Sequence, residues 1–324
     1  MIVDVHGHVT HPELFKRFPM PPALADIEGM LEQKSEHGIE LTIVGSPVGF
    51  GTMMPVPGLD NYAQPLDQLK SFHDWLAATV AEHAGRLAAY AYTNPFGDAE
   101  LLEETARTVE EDGFVGLIVN SSVRGTYLDS EGADDFFAMA SELGVPVFLH
   151  PGAEPVGTTS VRDFRLVEQV SRFFDVAVGL ASLAISGRLE QYPDLTLIGA
   201  TAGGGVALVH ERIDIASRSR PPAEGVARAP LERSPSDYLR NVYVDTANAS
   251  RQGHLANLDL MGHERMLFGT DSPPMSTPLP EAIARVEDLP IPQDYKQAIF
   301  EGNARRLFKL DAPGVDSQPP RGAS

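Results

Sequence analysis

Short apolar runs alternate with longer amphipathic stretches along the chain. The runs at 2–5, 41–44, 87–92, 115–119, 145–149, 195–198, 242–244 and 266–268 have the length and β-branched or aromatic content of buried strands. Between them, 27–37, 66–83, 99–111, 133–143, 164–189, 206–217, 251–261 and 294–310 repeat apolar residues at three- and four-residue spacing, as at Leu101, Leu102, Thr105 and Val109. That period predicts helices, and strands alternating with helices predict a parallel sheet. Eight such units make an α/β protein of the (β/α)8 TIM-barrel type. The rival, a doubly wound open sheet, needs a Gly-rich phosphate turn after its first strand. Here that strand runs into His6-Gly7-His8 instead.

Two segments break the rhythm. Residues 45–65 form a long Gly/Pro/Met stretch after the second strand, with Met53, Met54, Pro55, Pro57 and Gly58. At that barrel position it reads either as a lid over the catalytic face or as a passive surface insertion. Residues 219–236, rich in Pro, Arg and Ala, read as a link into strand seven. Residues 311–324 read as a disordered tail, leaving 1–310 as a single domain.

The strand ends carry the chemistry. Residues two apart in a strand point to the same side, so His6 and His8 can reach one ion together. His150 ends the fifth apolar strand and Asp271 the eighth. A barrel brings all these ends to one rim. Three imidazoles and a carboxylate there, with one position left open, would make a catalytic divalent-metal centre; the competing reading is four unrelated buried polar groups. Ser46, Asn120, Arg124, Arg162 and Arg165 also fall at predicted rim positions. The arginines would suit a substrate carboxylate, or would merely offset an acidic surface. Asp245, in strand seven, is open between a structural hydrogen-bonding role and a pocket role.

Charge and composition narrow the partners. The 324 residues carry 25 basic and 45 acidic side chains, a formal charge of −20, and no cysteine. Such a charge opposes nucleic-acid binding. Without cysteine there are no disulfides, thiolate zinc sites, iron–sulfur clusters or cysteine nucleophiles. No apolar run has membrane-spanning length and no secretory leader opens the chain, so a cytoplasmic protein acting on a small molecule is expected.

Taken in order, Asp4–His8, Phe148–Gly152, Leu189–Leu195, Gly203-Gly204-Gly205, Tyr243–Thr246, Phe268–Pro273 and Gly302–Leu307 resemble the amidohydrolase superfamily. Within it they are similar to the amidohydrolase-2 branch that includes aminocarboxymuconate-semialdehyde decarboxylase. The resemblance implies a distorted TIM barrel, commonly a homodimer, with one divalent ion (zinc first, manganese second) on His6, His8, His150 and Asp271. It also implies a histidine at the end of strand six, just before the glycines. This chain has Thr201 there, with Arg212 eleven residues on. A threonine hydroxyl hydrogen-bonds water but is no base near neutral pH. Asp271 is the group that could take the proton of a metal-activated water instead.

The expected activity is hydrolysis of a small carboxylate- or amide-bearing compound. The alternative is non-oxidative decarboxylation of a small aromatic or unsaturated acid. A metal-free lactonase-like hydrolase, or a barrel silenced by Thr201, are further readings.

Overall fold

The computed structural model describes residues 1–219, 230–274 and 277–310. The first apolar run forms β1 (Ile2–His8), followed by β2 (Ile39–Gly45), β3 (Leu87–Tyr92), β4 (Gly116–Asn120), β5 (Val147–His150), β6 (Leu197–Gly199), β7 (Tyr243–Asp245) and β8 (Met266–Leu267). Neighbours in sequence are neighbours in the sheet, and all these pairings are parallel. Two backbone bonds bring the last strand back to the first: Val5 N donates to Phe268 O at 2.9 Å and Asp271 N to His6 O at 2.8 Å. The result is the distorted, nearly closed (β/α)8 barrel that the alternation predicts.

The outer layer contains α1 (Ile27–Ser35), α2 (Leu66–Glu82), α3 (Ala99–Asp112), α4 (Asp134–Leu143), α5 (Arg172–Ser186), α6 (His210–Ser219), α7 (Arg251–Met261) and α8 (Leu279–Glu287). Helix α3 shows the local logic. Asp98 caps its start by accepting from Leu101 N at 3.1 Å, and Gly113 ends it at φ +75°, where a side chain would be strained. Its buried face runs through Leu102, Thr105 and Thr108.

The predicted helix 164–189 is a compound one. Phe164–Leu166 leads into a π-type turn at Val167–Ser171 and then into α5. The predicted helix 294–310 is likewise divided into Gln293–Gln297, a π-type turn at Ala298–Gly302 and Asn303–Phe308. Helix α8 was not expected; its core contacts, Leu279, Ala282 and Val286, are three apolar positions between prolines and acids. A two-stranded hairpin, Ser122–Val123 with Thr126–Tyr127, was also not expected, since two-residue strands leave no periodicity to read. The tail at 311–324 and most of the proposed link at 219–236 lie outside the described residues.

Inside the barrel the Tyr90 and Phe148 rings stack 5.2 Å apart, and the Tyr90 hydroxyl donates to Val5 O at 2.9 Å. Both rings are fully buried. Each apolar side chain so buried contributes roughly 2–3 kcal/mol. This layer is the floor on which the strand-end residues stand.

Candidate metal centre

Strand β1 delivers His6 and His8, and Asp4 fixes how. The Asp4 carboxylate accepts from His6 N at 3.0 Å and Thr270 N at 3.0 Å through Oδ1. Its Oδ2 accepts from Lys34 Nζ at 2.7 Å and Thr270 Oγ1 at 2.6 Å. One buried carboxylate thus ties β1, α1 and the segment after β8 together. The β1–β2 register slips between Asp4 and Gly7, which re-aims the strand end. Gly7 is needed there because a Cβ would stand 2.5 Å from Thr42 Cγ2. Gly269 plays the matching part opposite: a Cβ would lie 2.9 Å from Asp245 Cβ and 3.0 Å from His6 Cβ.

His6, His8, His150 and Asp271 come together at the C-terminal rim, with one donor atom of each within 4.8 Å of all the others. His6 Nε2 and His8 Nε2 are 3.2 Å apart, and Asp271 Oδ1 is 3.0 Å from His8 Nε2 and 3.2 Å from His6 Nε2. The His150 ring packs edge-on to both other imidazoles. All four residues are buried.

The donor set fits a divalent cation. Each imidazole has an acceptor on its Nδ1: Asp245 Oδ2 for His6 at 2.5 Å, Gly45 O for His8 at 3.1 Å, Pro151 O for His150 at 2.9 Å. With Nδ1–H donating outward, all three Nε2 lone pairs face inward beside a carboxylate. Acceptors facing acceptors at these distances need a positive charge between them. Without a cation, a proton must serve. Burial alone would lower the His6 pKa, but Asp271 and Asp245 outweigh it and push it up to about 10. Burial would raise the Asp271 pKa, yet His6 and His8 hold it well below the carboxylate range. Burial, reinforced by His8 and His6, drives His150 well below the usual imidazole value.

The turns that present these groups carry unusual backbone. Thr201, Ala202, Asn248 and Asp271 all have positive φ, between 49° and 58°. For Thr201, β-branched, that conformation is costly, of order 1–3 kcal/mol. The surroundings hold it: Asp245 Oδ1 accepts from Ala202 N at 2.8 Å, and Asn257 Nδ2 donates to Ala202 O at 3.1 Å. Asn248 Nδ2 donates to Asp271 Oδ2 at 2.7 Å. Thr201 and Asp271 therefore sit in turns beyond the last residues of β6 and β8, not at the strand ends themselves.

A cavity of about 190 Å³ opens beside His8, His150 and Asp271. Thr201 lines it, and the Thr201 Oγ1 is buried without a hydrogen-bond partner among the described residues. The 45–65 segment forms one wall through Ser46, Val48, Thr52, Met53 and Met54. Most of the remaining wall is apolar, including Leu24, Phe164 and Phe173.

The other predicted substrate contacts fall elsewhere. Arg124 is exposed and paired with Asp60, because the hairpin after β4 carries it outward. Arg162 and Arg165 are also exposed, and Arg165 bonds Asp163 at 2.8 Å. Asn120 is buried, with its Nδ2 donating to Pro47 O at 2.9 Å, so it braces the 45–65 segment. Ser46 does line the cavity. Two further residues matter, of which the sequence points to Asp245 and not to Arg172. Asp245, left open between two roles, orients His6. Arg172 lines the cavity and is the only arginine or lysine to do so among the described residues. Phe164, Glu168, Gln169, Arg172 and Phe173 line the cavity from successive turns of one helical body, whereas Arg165, in its first turn, is exposed and paired with Asp163.

The family model described as amidohydrolase (Amidohydro_2) matches residues 3–310. The chain is 25% identical over 292 residues to the 2-amino-3-carboxymuconate-6-semialdehyde decarboxylase of Dictyostelium discoideum, covering 88% of this chain and 77% of that one. It is 29% identical over 288 residues to the gamma-resorcylate decarboxylase of Polaromonas sp. strain JS666, covering 85% of each. Among solved structures, it superimposes with TM-score 0.77 on a dihydroxybenzoic acid decarboxylase of Polaromonas sp. JS666 that holds manganese and the inhibitor 2-nitroresorcinol. That match has 24% identity and covers 97% of this chain and 98% of that one.

Proposed function

The chain belongs to the amidohydrolase family, whose members are enzymes, and on that premise we propose that it is a divalent-metal-dependent, non-oxidative decarboxylase of a small aromatic acid. The observation that carries this is the pairing of an all-acceptor His3Asp cluster with a small, mainly apolar cavity beside it. Cavities of about 150 Å³ accommodate a benzene ring, so the site suits one ring with small substituents. The relatives' reactions favour this reading over hydrolysis, which the sequence alone put first. At the position where an ionisable base would serve water activation, the cavity has the neutral hydroxyl of Thr201.

The ion, manganese or zinc, would be held by His6, His8, His150 and Asp271 and would supply Lewis-acid anchoring of the substrate oxygens. Asp245, Gly45 O and Pro151 O keep the three imidazoles in the tautomer that leaves Nε2 free. The apolar wall packs the ring and excludes water. Asp271, held by Asn248 through Oδ2, takes the proton that enters with the substrate acid and passes it to the ring carbon as that carbon's bond to the carboxylate breaks. The electron pair of that bond stays on the carbon, and carbon dioxide leaves.

The test is a mass-spectrometric screen of monocyclic hydroxybenzoic acids with protein reconstituted with manganese or zinc. Loss of carbon dioxide, abolished by a chelator and reduced at least 100-fold in Asp271→Asn, is expected. A product that has gained water would return the reaction to hydrolysis. Turnover that survives chelation would favour the metal-free reading, and absence of any turnover the silent barrel.

A further inference from the structure

The cavity contains a guanidinium that the proposed reaction does not use. Arg172 begins α5, with a side chain only 12% exposed. Its Nη1 donates to Glu168 Oε1 at 3.2 Å and its Nη2 to Met53 O at 2.8 Å. Its Nε is buried with no partner among the described residues. The group lies 5.6 Å over the Phe164 ring. A guanidinium offers five N–H donors in a fixed fork, and two are taken here. Glu168 is itself 37% exposed, so the positive charge is only partly balanced. A fixed, largely buried charge with donors to spare is costly to keep in an apolar cavity unless an anion comes to it. The Phe164 face and the Met53 carbonyl hold the fork in place before any ligand arrives, which favours bidentate recognition of a planar acid.

We propose that Arg172 recognises a second acidic group on the substrate, distinct from the one taken by the imidazole–carboxylate cluster. The substrate class is then a monocyclic aromatic acid with a further carboxylate elsewhere on the ring. The inference rests on the aromatic-acid reading of the site, but it concerns binding and is separable from turnover. The bond between Arg172 Nη2 and Met53 O also joins this group to the 45–65 wall, so an anion drawn to Arg172 sits where that wall meets α5.

The experiment measures the affinity of manganese-loaded protein for benzoate, benzene-1,3-dicarboxylate and benzene-1,4-dicarboxylate by calorimetry. Neither diacid can chelate one ion with both carboxylates, so a preference for a diacid reports a second contact. One diacid is expected to bind the wild type at least 10-fold more tightly than benzoate. In Arg172→Gln that preference should fall to within about 2-fold, with benzoate affinity little changed, and Arg172→Lys should keep part of it. If Arg172→Gln does not fold, Glu168→Gln decides: removing the competing carboxylate should enlarge the preference several-fold. Equal affinities in the wild type, no binding of any of the acids, a preference that survives Arg172→Gln, or one that shrinks in Glu168→Gln overturns the proposal. Failure of the decarboxylation reading looks different: the diacid preference would persist with no carbon dioxide released from any acid tested.

Discussion

Asp245 Oδ2 accepts from His6 Nδ1 at 2.5 Å across 239 residues of sequence, and both side chains are fully buried. The other Asp245 oxygen takes the backbone N–H groups of Ala202 at 2.8 Å and Ala247 at 3.1 Å. One carboxylate therefore sets the tautomer of a candidate metal ligand and holds the strained turn that carries Thr201. In Asp245→Asn, the amide can turn its N–H toward His6 and favour the tautomer with a proton on Nε2. Metal affinity is expected to fall 10- to 100-fold. A competition titration against a chelator of known affinity checks this, and unchanged affinity in the folded variant refutes the assignment.

Lys34 and Asp4 form a buried ion pair at 2.7 Å, with side chains 2% and 0% exposed. Removing the cation alone leaves Asp4 charged and partly uncompensated inside the protein. Lys34→Met is expected to destabilise the fold by about 3–5 kcal/mol. Urea denaturation measures this; a loss below about 1 kcal/mol would mean that Thr270 and the backbone N–H groups satisfy Asp4 unaided.

His254 on α7 is fully buried, and neither ring nitrogen has a partner among the described residues. Burial pushes its pKa down to about 4; Asp245 opposes this shift and Arg285 adds to it. The folded-state value lies below the unfolded value of about 6.5, so the unfolded chain takes up a proton that the folded protein resists. The stabilising contribution is complete above pH 6.5 and is lost as pH falls from there toward 4, by about 3 kcal/mol in all. His254→Leu should flatten this part of the stability–pH curve. The comparison is by denaturant midpoints at pH 7, 5.5 and 4.5, and identical slopes in the two proteins would count against it.

Thr201 Oγ1 is buried and unbonded among the described residues, so it carries a desolvation cost without a hydrogen bond in return. Thr201→Val keeps shape and branching and removes the hydroxyl. Stability of the ligand-free protein should rise by about 1 kcal/mol. A drop in melting temperature would show that the hydroxyl has a partner in solution.

Much of this was legible from residue order. Strand period placed β3 at its observed bounds, and the helical period placed α7 likewise. The position of each histidine at a strand end was enough to expect His6, His8 and His150 on one rim, because parallel strands in a barrel must finish at the same end. What order could not decide was which polar groups meet across that rim. Asp245 and His6 share no period or motif, only adjacency created when β8 returns to β1. The arginines expected at the cavity follow strands in sequence, yet the hairpin after β4 turns Arg124 outward, and Arg165, in the exposed first turn of its helix, pairs with Asp163. Arg172, two turns further along the same helical body, faces in. Periodicity is a property of the local backbone and survives in the sequence. The pairing of side chains depends on loop paths and on where each helix lies against the barrel, which only the folded chain sets.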